Sequence, residues 1–207
     1  MNNNNNNNNN KTYIIAEIGI NHEGDIDICK EMIRASARCG VDAVKLQTIN
    51  ADANYVKGTE SYNIFKVSEL TREETREAFK FSQGLGLDIF TTAGDVETID
   101  WVDQLNPSHW KVSSGLLTHT PIIEYLASLK RPLLISTGMA SQEDIDLAIK
   151  SAKLAGNNDI SLFQCTSVYP TPVEEINLST INWLKDKYQC PVGFSDHSLG
   201  DDAVFLS

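Results

Sequence analysis

Residues 191–200, PVGFSDHSLG, join a short apolar run to a group of polar side chains near the end of the chain. Val192 and Phe194 are typical of a buried strand, and Ser195, Asp196 and His197 then place a hydroxyl, a carboxylate and an imidazole at its end. The ends of many strands are polar without having a function. The stretch indicates a functional site only if the other strands of the chain end in a similar way.

Apolar runs alternate with helical patterns along the rest of the chain. The predicted strands are residues 13–18, 42–47, 88–92, 108–113, 132–136, 159–164 and 191–194. The predicted helices are residues 25–39, 71–85, 96–105, 121–129, 141–156 and 178–188, with the start of another at 201–206. Residues 48–70 are predicted to be irregular. This alternation favours a parallel sheet built of βα units.

Local signals mark several helix ends. Thr71 with Glu74 forms a capping-box pattern, and Ser141 with Asp144 marks another start. Gly40 is suited to the left-handed residue that follows the first helix.

Two architectures fit these units, an open doubly wound sheet and a (β/α)8 barrel. No G-x-G-x-x-G sequence follows the first strand, which disfavours a dinucleotide-binding open sheet. Polar residues lie at the carboxyl end of every predicted strand: Glu17, Lys45, Gln47, Thr91, Thr92, Lys111, Ser113, Ser114, Ser136, Thr137, Gln164, Thr166, Ser195, Asp196 and His197. A barrel with its site at that face requires this pattern. We predict an incomplete (β/α)8 TIM barrel over residues 12–207, with about seven βα units and no eighth strand.

Composition restricts the class of partner. Lys and Arg number 17 and Asp and Glu 28, which gives a formal net charge of −11. No basic stripe is present for nucleic acid or an acidic membrane, and no apolar run approaches the roughly 20 residues of a membrane span. The four cysteines show no C-x-x-C spacing, so we expect a reduced, cytoplasmic protein. The asparagine run at residues 2–10 is predicted to make residues 1–11 a disordered segment.

Strand periodicity predicts an anion site. Lys45 and Gln47 share one face of the second strand, and Lys111 and Ser113 share one face of the fourth. If both faces point into the barrel, the two ammonium groups lie among neighbouring hydroxyls, which suits a doubly charged phosphate. Those hydroxyls belong to Thr92, Ser114, Ser136 and Ser195. Alternatively, the lysines extend to solvent or pair with Glu17.

Two further groups have open roles. Glu17 is a general acid or base, or only the counter-ion of a lysine. His197 is a metal ligand or a proton carrier.

Several motifs occur together in a defined order. They are AEIGINHEG (16–24), KLQ (45–47), KVSS (111–114), STGM (136–139), QCTSVYPTP (164–172), NL (177–178) and GFSDHS (193–198). With these motifs the chain, from about residue 13 onward, resembles the sialic acid synthase (N-acetylneuraminate synthase, NeuB) family.

The resemblance implies a transferase that condenses phosphoenolpyruvate with an N-acetylated amino sugar, releasing phosphate and forming a nine-carbon 2-keto acid in surface carbohydrate biosynthesis. It also implies a divalent metal, manganese or magnesium, with His197 as one ligand, and Glu17 as the residue that handles a proton. Phosphoenolpyruvate would be held by Lys45, Thr92, Lys111, Ser114, Ser136 and Ser195. Gln47, Ser167 and Tyr169 would face the sugar.

The resemblance is incomplete in two respects. The family's second metal-binding histidine, on strand eight, and its small antifreeze-like domain, which reaches the partner's site in a homodimer, are expected outside this sequence. Ser167 stands where some sialic acid synthases carry Asn, so the sugar is N-acetylmannosamine or a legionaminic or pseudaminic precursor.

Two other functions are compatible with these residues. Lys111 or Lys45 could be the amine nucleophile of a Schiff-base aldolase, which needs a desolvated lysine and no metal. The chain could instead be an inactive barrel fragment that binds only phosphate or a partner.

Overall fold

The computed structural model describes residues 11–207, so the prediction of disorder for the asparagine run lies outside the described residues. The strands are β1 (Ile15–Gly19), β2 (Ala43–Gln47), β3 (Asp88–Thr92), β4 (Trp110–Val112), β5 (Leu133–Ser136), β6 (Ile160–Cys165) and β7 (Val192–Ser195). All seven predicted strands are present, with ends that move by two residues or fewer.

The helices lie between these strands. They are α1 (Ile26–Cys39), α2 (Ala51–Asn54), α3 (Glu60–Val67), α4 (Arg72–Gly84), α5 (Val96–Asp103), α6 (Thr120–Ser128), α7 (Gln142–Leu154), α8 (Ser179–Tyr188) and α9 (Asp202–Leu206). Two 3₁₀ helices, Ser114–Leu116 and Val173–Glu175, follow β4 and β6. In the part of the chain that the structure describes, no helix is both long and apolar enough to cross a membrane.

The strands form one parallel sheet in the order of the chain, β1 to β7. Within residues 11–207, β1 and β7 are the two edges of this sheet. Each strand joins its neighbour through a crossover that contains a helix, as parallel pairing requires. The architecture is the predicted incomplete (β/α)8 barrel, with seven strands in place.

Two apolar clusters show that the sheet curls. The larger cluster lies between the sheet and the helices and includes Val44, Ile89, Val112 and Ile135. The smaller cluster lies on the other face, where Ala43, Phe90 and Leu134 pack together with Ile15 and Phe163. These residues come from β1, β2, β3, β5 and β6, and they can meet only if the sheet bends around them. They form an apolar plug inside the barrel, below the carboxyl ends of the strands.

The helix ends follow the local signals in the sequence. Thr71 and Glu74 form the predicted capping box of α4, and Ser141 and Asp144 form that of α7. The Asp25 side chain caps α1, and Gly40 ends this helix with a φ of 76°.

The prediction that residues 48–70 are irregular is wrong, because this segment contains α2 and α3. α3 is only eight residues long, shorter than the stretch from which periodicity identifies a helix, and it buries none of its side chains. Thr59 caps its start, and the ring of Phe65 stacks on Tyr55 with centroids 4.8 Å apart.

Gly193 of β7 makes room for the plug. A Cβ atom at this position would lie 2.7 Å from the ring of Phe163, which is held inside the barrel. We expect Gly193→Ala to lower the free energy of unfolding by about 1–3 kcal/mol through overpacking. Gly84→Ala is the matched control, because nothing lies within 4 Å of a Cβ there and alanine favours helix. Urea unfolding measures both; equal stabilities would contradict the packing of Phe163 against β7.

Candidate active site

The ends of β1 and β2 hold an ion pair at the mouth of the barrel. Glu17 is paired with Lys45 in the sheet register, and the Lys45 Nζ donates to Glu17 Oε1 at 2.9 Å. The Gln47 Nε2 donates to the same oxygen at 3.5 Å. Lys45 is buried, whereas the Glu17 side chain is half exposed. The Glu17 carboxylate therefore accepts hydrogen bonds from two predicted binding residues, Lys45 and Gln47. Half of the Glu17 side chain remains exposed at the mouth of the barrel.

The second lysine lies deeper and has different partners. The Lys111 Nζ donates to the Val112 carbonyl at 3.1 Å and forms a short hydrogen bond with the Ser136 hydroxyl. Burial lowers the pKa of Lys111 to about 7, and the positive charge of Lys45 adds to this effect while Glu17 opposes it. Lys111 and Ser136 are therefore already in contact, as the prediction of a shared anion site requires.

Thr92 contributes a hydroxyl that has no partner. It ends β3 beside Gln47, on the inner face, and it is buried. Its Oγ1 is one of two buried side-chain polar atoms in residues 11–207 that make no hydrogen bond. A buried, unpaired hydroxyl is unfavourable unless something binds to it, which makes it a feature of binding sites.

Ser114 and Ser167 meet around Gly138, in the loop after β5. The backbone N–H of Gly138 donates to Ser114 Oγ at 3.1 Å. A Cβ atom at Gly138 would lie 2.7 Å from Ser114 Oγ and would also collide with the Ser167 hydroxyl. Only glycine lets these two hydroxyls approach the loop so closely, so Gly138 is a site residue that the sequence prediction did not include.

His197 follows β7 and is held by two hydrogen bonds. Its Nδ1 donates to the Thr166 carbonyl at 2.7 Å, and its Nε2 lies 2.9 Å from the Tyr169 hydroxyl. The two rings stack with their centroids 4.0 Å apart. A carbonyl that fixes one nitrogen of an imidazole is the usual partner of a metal-binding histidine.

The described residues do not form a complete set of protein ligands for a metal ion. Within residues 11–207, no group of three His, Cys, Asp or Glu side chains is placed to hold a metal ion. Nε2 of His197 suits one ligand position, and a manganese or magnesium ion would need further oxygen or nitrogen ligands.

Cys165 lies between Ser114 and His197 in the site, and it was not among the site residues predicted from the sequence. It pairs with Ser195 in the sheet register, and its Sγ lies 3.7 Å from Ser114 Oγ and 3.8 Å from His197 Nδ1. Burial acts to raise the pKa of this thiol, but hydrogen bonds from His197 and Ser114 and the charge of Lys111 outweigh it, so the pKa is lowered. The available signal was the period-2 alternation, which puts Cys165 on the inward face with Phe163.

Three of the polar strand ends do not face the site. The Gln164 Nε2 donates to the Ile176 carbonyl at 3.1 Å, and the Thr166 hydroxyl donates to the Glu175 carbonyl at 2.9 Å. Both hold the loop after β6. Thr91 lies on the opposite face of β3 from Thr92, and its Oγ1 accepts a hydrogen bond from the Thr48 N–H at 2.9 Å. None of these three was among the predicted site residues, and Thr91 shows why a polar strand end need not face the site, because alternate residues point to opposite faces.

A family model and several known proteins match most of this chain. The model of the NeuB family matches residues 32–206. An uncharacterized protein of Methanocaldococcus jannaschii is 40% identical over 95% of this chain and 58% of its own length. The N,N'-diacetyllegionaminic acid synthase of Legionella pneumophila is 36% identical over 91% of this chain and 58% of its own length.

A solved structure shares the fold. The crystal structure of an N-acetylneuraminic acid (sialic acid) synthetase from Leptospira borgpetersenii, in complex with citrate, superposes with a TM-score of 0.92 at 30% identity. The match covers 95% of this chain and 69% of that one. The chain spans about three fifths of the length of the two curated relatives.

The contact between Cys165 and His197 can be tested by titration. The hydrogen bond with Cys165 is the largest cause that raises the pKa of His197, while burial opposes it. We expect Cys165→Ala to lower the pKa of His197, measured by NMR of the imidazole signals. Cys39→Ala, at the exposed end of α1, should leave that pKa unchanged. A value that stays the same in Cys165→Ala would show that the Thr166 carbonyl, not the sulfur, holds the imidazolium.

Proposed function

The chain belongs to the NeuB family, and from this premise we propose that it forms most of the barrel of a sialic-acid-synthase-like transferase. The reaction is the condensation of phosphoenolpyruvate with an N-acetylated amino sugar in its open-chain aldehyde form. The products are a nine-carbon 2-keto acid and inorganic phosphate. N-acetylmannosamine and the precursors of legionaminic and pseudaminic acids are the candidate acceptors.

The observation that carries the proposal is the set of buried donors above the apolar plug. Two lysines, Lys45 and Lys111, lie on the inner face, and Thr92 presents a buried hydroxyl without a partner. Lys45 already has the carboxylate of Glu17, whereas Lys111 contacts only neutral oxygens. A phosphate would bring negative charge and several acceptor oxygens to these donors.

The residues of this chain would divide the work of the reaction. Lys45, Thr92, Lys111, Ser114, Ser136 and Ser195 would hold the phosphate and carboxylate of phosphoenolpyruvate. Carbon 3 of the enol forms a bond to the aldehyde carbon, water adds at carbon 2, and the C–O bond to phosphate then breaks. Glu17, half exposed at the mouth, would take a proton from that water. Gln47, Ser167 and Tyr169 would contact the sugar.

His197 would be one ligand of a manganese or magnesium ion. Such an ion, when bound, polarises the aldehyde oxygen. Water, substrate oxygens or further protein ligands would complete its coordination.

We also propose that the active form is a homodimer. The rim of the barrel mouth carries exposed apolar side chains, among them Met139 at 77% exposure and Leu199 at 84%. A rim of this kind is suited to being covered by another domain.

The proposed reaction predicts phosphate release that needs both substrates and stops with a chelator. The purified protein is incubated with phosphoenolpyruvate and each candidate sugar, and phosphate and product mass are measured. Release without a sugar, or undiminished turnover in the presence of EDTA, would contradict the proposal. Activity of the 207-residue chain alone would exclude the reading as an inactive fragment.

One observation favours a second function, the Schiff-base aldolase. The lowered pKa of Lys111 is what an amine nucleophile requires. Borohydride treatment with pyruvate would then leave a covalent adduct on Lys111, detectable by mass spectrometry. Absence of the adduct, with phosphate release as above, excludes the aldolase.

Thr92 and Thr91 provide a matched pair of variants. Thr92→Val removes a hydroxyl that has no partner within residues 11–207, so we expect unchanged or higher stability and a KM for phosphoenolpyruvate raised about tenfold, for a lost bond of ~1.4 kcal/mol. Thr91→Val removes the bond to the Thr48 N–H, so it should lower stability by about 1 kcal/mol and leave KM unchanged. Steady-state kinetics and urea unfolding test both variants; the reverse pattern would remove Thr92 from the site.

A further inference from the structure

We propose that Lys111 is a neutral amine in the ligand-free protein and takes up one proton when a phosphate-bearing ligand binds beside it. The inference rests on the proposed function, because it assumes that the site holds phosphate. It assigns different roles to the two lysines of the inner face.

The hydrogen-bond partners of Lys111 fit a neutral amine. A neutral amine has two N–H donors, and an ammonium has three. The Nζ of Lys111 has two oxygen partners, the Val112 carbonyl and the Ser136 hydroxyl. The ring of Phe163 lies 5.6 Å from the Nζ and offers a cation–π contact but no further oxygen acceptor. No carboxylate in residues 11–207 forms an ion pair with this lysine, whereas Lys45 has Glu17 at 2.9 Å.

The ionisable groups around Lys111 act in opposite directions, since Lys45 favours the neutral amine whereas Glu17 and Cys165 favour the ammonium. They are Lys45 on β2, Glu17 on β1 and Cys165 on β6, with His197 beyond Cys165. The charge of Lys45 opposes a second ammonium nearby, and Glu17 offsets it only in part since its Oε1 already holds Lys45. Burial acts in the same direction, and the pKa of Lys111 is about 7.

A bound phosphate favours the ammonium form of Lys111 over the neutral amine. Two negative charges within hydrogen-bond distance favour the ammonium, and phosphate oxygens supply a third acceptor beside the Val112 carbonyl and the Ser136 hydroxyl. Binding above pH 7 therefore takes a proton from solvent. The apparent affinity for phosphate should fall about tenfold for each pH unit above that point, as expected for one linked proton.

Isothermal titration calorimetry with inorganic phosphate measures the proton directly. Titrations at pH 8.5, where phosphate is already doubly charged, are repeated in buffers that differ in ionisation enthalpy. We expect uptake of about one proton per phosphate bound by the unmodified protein. Lys111→Arg keeps a positive charge that cannot be lost, so its uptake should fall to about zero. Lys45→Arg is the matched control and should still take up the proton.

Each outcome decides the matter. Phosphate binding without proton uptake in the unmodified protein overturns this inference and leaves the phosphate site standing. Uptake that persists in Lys111→Arg assigns the proton to another group and also overturns it. No binding of phosphate at all contradicts both the inference and the proposed function. If arginine does not fit the site, NMR of the lysine ¹³Cε signals in the unmodified protein, with and without phosphate, shows directly whether Lys111 changes its charge.

Discussion

The burial of two amines on the inner face of one parallel sheet is the constraint on which the rest of the site depends. A buried ammonium is unfavourable unless it is paired, and the structure meets this requirement in two ways. Lys45 lies beside Glu17 on the neighbouring strand and forms an ion pair with it. Within residues 11–207 Lys111 has no carboxylate partner, and burial lowers its pKa instead. The hydroxyls of Ser136 and Thr92 then complete a set of donors that suits an anion.

Packing below the site keeps these amines in a dry environment. The plug of Ala43, Phe90, Leu134 and neighbouring residues lies under the lysines, and both lysines are buried. Gly193 leaves space for Phe163 in this plug, just as Gly138 leaves space for hydroxyls at the rim. The absence of a Cβ atom thus allows close packing in the core at Gly193 and close contacts between hydroxyls and backbone in the site at Gly138.

Much of this arrangement was predictable from local patterns. Alternation along β2 and β4 puts Lys45 and Lys111 on the inner face, and capping boxes mark the starts of α4 and α7. The prediction for residues 48–70 failed because the local signal was weak there: α3 is short and buries none of its side chains.

By itself, the sequence determined the order of the βα units, the face on which each strand residue lies and the family to which the chain belongs, because these depend on local periodicity and on motifs in a defined order. Only the tertiary structure decided which side chains meet. Glu17 forms its ion pair with Lys45 rather than with Lys111, and Cys165 lies between Ser114 and His197. These contacts join strands that are distant in sequence, and their geometry depends on how the sheet curls around its plug. Local patterns could not predict the ionisation of Lys111 for the same reason, because desolvation and neighbouring charge are properties of the assembled barrel.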